Sequence, residues 1–234
     1  MRFADRVAIV TGAAGNLGSA IARELAGQGA KLALVDHGGD RVRTLAASLP
    51  NADVLAITGV DLRKESDARR IADETLARFG RIDALTNTVG TFRMGRIEEE
   101  ETAAQWSMLM DLNALSALLI SRAVLPAMTQ AGYGRILHTS AGAAIKAGAG
   151  MGAYAASKAA LLRLTESVAE EARGAGITAN CILPGIIDTP QNREAMPGAD
   201  TRLWVQPEAI ARVAAFLLSE DAGCVSGGAI PVAG

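Results

Sequence analysis

The chain has 234 residues, half of them hydrophobic but only 3% aromatic, and its 25 acidic and 23 basic residues leave a formal net charge of −2. That length suits one large α/β domain, and the near-neutral balance, with a pI near 5.8, offers no electrostatic footprint for nucleic acid or for an anionic membrane. Two cysteines, Cys181 and Cys224, cannot build a disulfide framework and have no Cys or His companions at ligand spacing, so no metal is expected.

Short runs rich in Val, Ile and Leu alternate with stretches of helical period. Val7 to Thr11 reads as a buried strand and Gly18 to Gln28 as a helix, with Leu17, Ile21 and Leu25 on one face. Strand Lys31 to Val35, helix Arg41 to Leu49, strand Val54 to Val60 and helix Glu65 to Phe79 follow. Next come strand Ala84 to Asn87, helix Thr102 to Met128, strand Arg135 to Thr139 and helix Tyr154 to Ala172. Strand Thr178 to Leu183, helix Pro207 to Leu218 and a last strand near Ala229 to Val232 complete the pattern.

Strands that are apolar on both faces and joined by helices predict an α/β fold: a doubly wound parallel sheet of Rossmann type, about seven strands, helices on both faces. The expectation is a single domain over residues 1–234, binding ligands beyond the carboxyl ends of the strands. The acidic run Glu98 to Glu101 is expected in water at a helix N-terminus, where it complements the dipole. Cys181, in the apolar run NCILPG, reads as a core residue. The N-terminus, MRFADRVAIVTG, lacks the apolar core of a secretory signal, and the longest apolar stretch, Ala114 to Ile120, falls short of a membrane span. A cytoplasmic protein with no membrane and no nucleic-acid partner is expected.

After the first strand comes Thr11-Gly12-Ala13-Ala14-Gly15-Asn16-Leu17-Gly18. Glycines between a strand and a helix let a pyrophosphate approach the backbone, and the helix N-terminus offers it unpaired N–H groups. Asp36 ends the second strand; a carboxylate there accepts hydrogen bonds from both ribose hydroxyls of an adenosine and repels a 2′-phosphate. NAD is therefore expected over NADP, with NADH preferred to NADPH, although Arg41 and Arg43 stand near enough in sequence to favour a phosphate.

Tyr154 and Lys158 are the pair able to do proton chemistry. Four apart on a helix, they lie on one face about one turn from each other. A free phenol titrates near 10, and a neighbouring ammonium is expected to lower that value toward the range of a general acid/base.

The residues just named, with Asn87 to Gly90, Asn113, Pro184-Gly185 and Thr189, fall in the order and spacing of the short-chain dehydrogenase/reductases, which the chain resembles over essentially its whole length. The resemblance implies that Gly12, Gly15, Asn16, Leu17 and Gly18 hold the pyrophosphate, with Asn16 standing where the family motif TGxxxGxG has a glycine. Asn tolerates left-handed backbone better than most residues. It implies that Asp61 and Leu62 contact adenine and that Asn87 and Gly90 border the dinucleotide, Thr88 and Val89 departing from the family's NNAG. Pro184, Gly185, Ile187 and Thr189 are implied to close over the nicotinamide, in a substrate lid at about 186–206.

Among catalytic residues the resemblance implies Tyr154 as general acid/base, Lys158 lowering its pKa and holding the nicotinamide ribose, and Asn113 keeping a water-linked proton path. Alignment puts the family's substrate-polarising serine at Ala141, while the available hydroxyl is Ser140. One residue's offset on an extended segment turns a side chain to the opposite face, so Ser140 serves only if the loop slips or bulges.

Two stretches resemble the dihydropteridine reductase branch, which lacks that serine: Ala141-Gly142-Ala143 with Gly150-Met151, and Asp188 to Trp204. The implied function is NAD(H)-dependent hydride transfer to or from a small carbonyl or alcohol. The alternatives are reduction of a quinonoid pterin or similar ring, and a catalytically weak dinucleotide-binding module. Gln191, Arg193, Met196 and Trp204 in the lid are expected to favour a compact, flat or polar substrate. The family habit implies a homodimer or homotetramer built on the helices Thr102 to Met128 and Tyr154 to Ala172, a pair that otherwise reads as core.

Overall fold

Seven strands run parallel in the order β3-β2-β1-β4-β5-β6-β7. In the computed structural model, which describes residues 1–49 and 52–234, these are β1 Val7–Thr11, β2 Lys31–Asp36, β3 Val54–Thr58, β4 Ala84–Asn87, β5 Gly134–Thr139, β6 Ile177–Pro184 and β7 Ala229–Val232. The strand order reverses between β1 and β4, so a crevice opens at their carboxyl ends, the position where such sheets bind ligands. This is the expected Rossmann-type fold.

Three of the helices, α1 Asn16–Gly27, α2 Gly39–Ala47 and α8 Pro207–Leu217, contribute to the core on one sheet face. On the other lie α3 Glu65–Phe79, α5 Ser116–Ala131 and α6 Gly152–Glu171. Ile21 and Leu25 of α1 and Ile210 of α8 are fully buried between α1, α8 and the sheet, and each such side chain contributes roughly 1.5–3 kcal/mol by leaving water. A short α7, Pro190–Ala195, follows β6.

The helix expected at Thr102 to Met128 runs on to Ala131 but is not uniform. Helix α4, Thr102–Met110, passes through a π-turn at Asp111–Leu115 before α5 begins. By length and composition this continuous stretch, Thr102–Ala131, could cross a membrane, with a mean hydropathy of 1.5 over its most apolar window. Here Ile120, Val124 and Met128 pack into the core beside β5 and α3. Glu98 to Glu101 are exposed just ahead of α4 rather than within its first turn.

Candidate active site

The chain leaves β1 at Gly12 and enters α1 with Gly15 at the N-cap. The turn is tight: Gly15 N–H donates to the Gly12 carbonyl at 3.0 Å, and a Cβ on Gly18 would lie 2.2 Å from that same oxygen. Asn16 is the first residue of α1 and does not take up left-handed backbone; the tolerance invoked from sequence is not used. Instead its side-chain amide donates to Gln191 Oε1 at 2.8 Å, joining the turn to α7. The N–H groups of Asn16, Leu17 and Gly18 open the helix with no carbonyl one turn earlier to accept them.

Beside this turn lies a cleft of about 250 Å³ lined by Gly12, Asp36, His37, Asp61, Leu62 and Arg63, among others. Asp36 accepts from Ala14 N–H at 3.0 Å, and the Arg41 guanidinium donates to the Ala14 carbonyl. Asp61 is paired with Arg63 at 2.8 and 2.9 Å, and that guanidinium holds its carboxyl down at about 2. Leu62 is buried as an apolar wall.

At the end of β4, Asn87 is buried, with its Oδ1 accepting from Thr11 Oγ1 at 2.5 Å. Thr88, a departure in sequence, donates its hydroxyl to the Thr11 carbonyl at 2.8 Å and so ties this loop to the glycine turn. Gly90 is where three elements converge: a Cβ there would sit 2.7 Å from Asn113 Oδ1 and 3.1 Å from Lys158 Nζ. Asn113 is buried in the π-turn, and π-turns recur at functional sites. It accepts from Thr91 N–H at 2.8 Å and donates to the Thr91 carbonyl and to Ser157 Oγ.

Tyr154 and Lys158 both lie on α6, as the four-residue spacing predicts. Lys158 Nζ donates to the Thr139 carbonyl at 2.9 Å and stands 6.0 Å from the Tyr154 ring centroid. Burial lowers the lysine to about 8. The phenol departs from expectation, because burial pushes it up to about 12. Its ring packs edge-on against Phe92, centroids 4.8 Å apart and planes at 89°. Loss of hydration there disfavours the phenolate, while the ammonium is directed at a carbonyl rather than at the phenol.

Ser140 is buried and donates to the Lys158 carbonyl at 3.0 Å. The loop neither slips nor bulges to present it as a substrate-polarising hydroxyl; that expectation gives way to an interior contact, in keeping with the strand period. Ala141, extended and half-buried, follows it.

Pro184 closes β6, and Gly185 N–H bonds the Val232 carbonyl. Ile187 pairs with Val205. Thr189 accepts from Asn192 N–H at 3.2 Å, which caps α7 and leaves its hydroxyl hydrogen able to donate. The lid side chains expected to face a substrate are engaged otherwise: Arg193 is bidentate on Asp188, Gln191 holds Asn16, and Trp204 is buried. Ser157 and Phe92 carry no sequence signal of their own, since both gain their place through contacts across long stretches of chain.

The short chain dehydrogenase family profile matches residues 6–199. The chain belongs to this family. A levodione reductase of Leifsonia aquatica is 32% identical over all of the chain and 94% of its own length. A meso-2,3-butanediol dehydrogenase of Serratia marcescens is 29% identical over all of the chain and 95% of its own length. The crystal structure of levodione reductase superposes with a TM-score of 0.92, covering 99% of this chain and 97% of that one. This short-chain dehydrogenase is thus an oxidoreductase acting on CH–OH and C=O groups, of a family that uses nicotinamide cofactors. Its residues fit such a group: the absence of a Cβ on Gly18 lets α1 start directly against the Gly12 carbonyl, the first N–H groups of α1 open there, and a polar-edged cleft runs from Gly12 past Asp36.

Proposed function

We propose that this short-chain dehydrogenase interconverts a small carbonyl compound and its alcohol with NAD(H), with Tyr154 as the general acid/base. The observation that carries the reading is the convergence of Tyr154, Lys158, Asn113 and Gly90 at the sheet's switch point, within reach of the glycine turn. When bound, the dinucleotide supplies or takes up the hydride. Asn16, Leu17 and Gly18 would hold its pyrophosphate and Asp36 its adenosine ribose. Asp61 and Leu62 would flank the adenine, Asn87 and Gly90 the middle of the molecule, and Pro184, Gly185, Ile187 and Thr189 the nicotinamide end.

In the reductive direction Tyr154 gives its proton to the carbonyl oxygen as the new C–H bond forms. Lys158 holds the ribose and offsets the charge left on the phenol, and Asn113 supports the route by which the proton is replaced. A carboxylate at Asp36 supports NAD over NADP, because a 2′-phosphate there meets like charge. With Ser140 facing the interior, the substrate oxygen is polarised without a serine. This favours an activated, electron-poor carbonyl, and it keeps a quinonoid ring in view as the acceptor.

We place this activity in one domain of a cytoplasmic protein. We propose a homodimer or homotetramer joined through α5 and α6, whose Leu118, Leu125 and Leu164 line an apolar groove; sedimentation measures the number. The decisive test of function is NADH oxidation with diketones by the wild type and Tyr154→Phe. The variant is expected to lose activity by about 10²-fold or more while binding NADH normally. NADH binding with no turnover in either protein would leave only a dinucleotide-binding module, and equal turnover in both would remove Tyr154 as the acid/base.

A further inference from the structure

We propose that Phe92 is a specificity-determining residue that selects uncharged substrates with a compact apolar ring and keeps water from the Tyr154 phenol. The inference rests on the hydride-transfer reading above and names the substrate class for that same site.

The loop that follows Gly90 carries three large apolar side chains unusually open to solvent: Phe92 is 46% exposed, Met94 59% and Ile97 74%. They are not scattered. Phe92 lies edge-on against the Tyr154 ring. A Cβ on Gly150 would meet Met94 Cε at 3.4 Å, and one on Gly152 would meet Ile97 Cδ1 at 2.8 Å. Gly95 N–H bonds the Gly150 carbonyl at 2.9 Å, fixing the loop to the segment that leads into Tyr154. Three apolar groups are therefore mounted as one wall at the approach to the phenol, on a backbone held from both ends, since Thr91 is also clamped by Asn113.

A soluble surface rarely gathers such residues without use, and here the wall is continuous with the acid/base group. The nearby guanidinium groups are engaged: Arg93 donates to the Phe92 carbonyl at 2.7 Å, Arg96 pairs with Glu98, and Arg193 is bidentate on Asp188. An anionic substrate would lose its hydration against Phe92 and Met94, and Arg93 could pair with it only by leaving the Phe92 carbonyl, whereas an apolar ring gains by covering them. The reaction itself is unchanged. One hydride and one proton add across C=O, the proton from Tyr154, to give CH–OH and an oxidised nicotinamide.

The test compares three 1,2-dicarbonyl compounds: cyclohexane-1,2-dione as the apolar ring, butane-2,3-dione as a molecule too small to span the wall, and the 2-oxo acid pyruvate as the anion. The wild type is expected to prefer the ring to pyruvate by about 10²-fold in kcat/KM. Phe92→Ala should raise KM for the ring by about tenfold, change that for butane-2,3-dione by less than about threefold, and leave NADH affinity unaltered. Phe92→Leu should restore most of the loss.

Phe92→Ala should also bring the phenol titration, read by ultraviolet absorbance against a Tyr154→Phe blank, down toward the ordinary value near 10. A preference for pyruvate, or equal KM changes for ring and small diketone, overturns the proposal while hydride transfer through Tyr154 stands. An unmoved titration in Phe92→Ala overturns the water-excluding role. Undiminished turnover in Tyr154→Phe, or no turnover with any of the three, defeats the underlying reading and this inference with it.

Discussion

Ser140 and Lys158 clasp one another's backbone neighbourhood: the serine hydroxyl donates to the Lys158 carbonyl at 3.0 Å, while the lysine ammonium donates to the carbonyl of Thr139, the residue before that serine, at 2.9 Å. Ser140 is thus a positioning group for the lysine. Ser140→Ala should lower stability by about 1 kcal/mol through the lost buried hydrogen bond, seen in thermal melts, and lower kcat by less than about tenfold. Ala141→Ser, by contrast, should raise kcat on an unactivated ketone such as cyclohexanone, because its hydroxyl would stand on the other side of the strand.

The alkaline limit of activity follows from Lys158. With its pKa near 8, the ammonium discharges as pH rises past that value, and kcat for diketone reduction should fall there, well before the phenol near 12 ionises. The stability consequence has the opposite sense. The folded value lies below the unfolded 10.5, so burying the charge costs stability below pH 8 and the penalty vanishes as pH rises toward 10.5. Lys158→Met should be inactive yet melt higher than wild type at pH 7, with the gain shrinking above pH 8.

His138 should set the acid sensitivity of the fold. Its ring is fully buried, Nε2 meets Ser121 Oγ at 3.0 Å, and burial with the nearby Lys158 charge brings it down to about 4. The unfolded chain takes up a proton near 6.5 and the folded one does not until about 4, so stability drops as pH falls through that window, by up to about 3 kcal/mol. His138→Asn should flatten the profile of urea midpoint against pH between 6.5 and 4. A profile as steep as wild type would assign the effect elsewhere.

Gly90→Ala should damage the site without unfolding the sheet. The added methyl meets Asn113 Oδ1 and Lys158 Nζ at about the distances where a neighbour must move. Activity should fall by about 10²-fold with an unchanged far-ultraviolet spectrum; near-wild-type rates would show that the crevice accommodates the methyl.

Much of this architecture is legible in the sequence because parallel strands buried on both faces read as near-continuous apolar runs, as Val7 to Val10 and Leu32 to Val35 are. The Tyr154 and Lys158 pair is legible because helical period places it on one face, and the interior turn of Ser140 because strand period does. The sign of the phenol's shift is not legible. It comes from burial of the ring, to which Phe92, more than sixty residues away in sequence, adds an edge-on contact, and spacing within one helix carries no trace of a loop folding over it. The lid misleads for a related reason: Arg193 and Gln191 look like substrate contacts until Asp188 and Asn16 are seen to occupy them. The π-turn is likewise hidden, since an extra residue in one turn leaves the apolar composition of a long helix unchanged.

That widened turn at Asp111–Leu115 makes chain length, and not only side-chain identity, a condition of activity. Removing one residue between Thr102 and Met110 would let the helix wind regularly, with the parts on either side keeping their faces while the residues between the deletion and the former π-turn rotate by about 100°. Asn113 would leave Thr91 and Ser157, although Ile120, Val124 and Met128 would keep their places on the sheet. A single-codon deletion here is therefore worse than most changes at exposed positions of this helix, and lineages that keep this enzyme working should vary those positions while never altering its count.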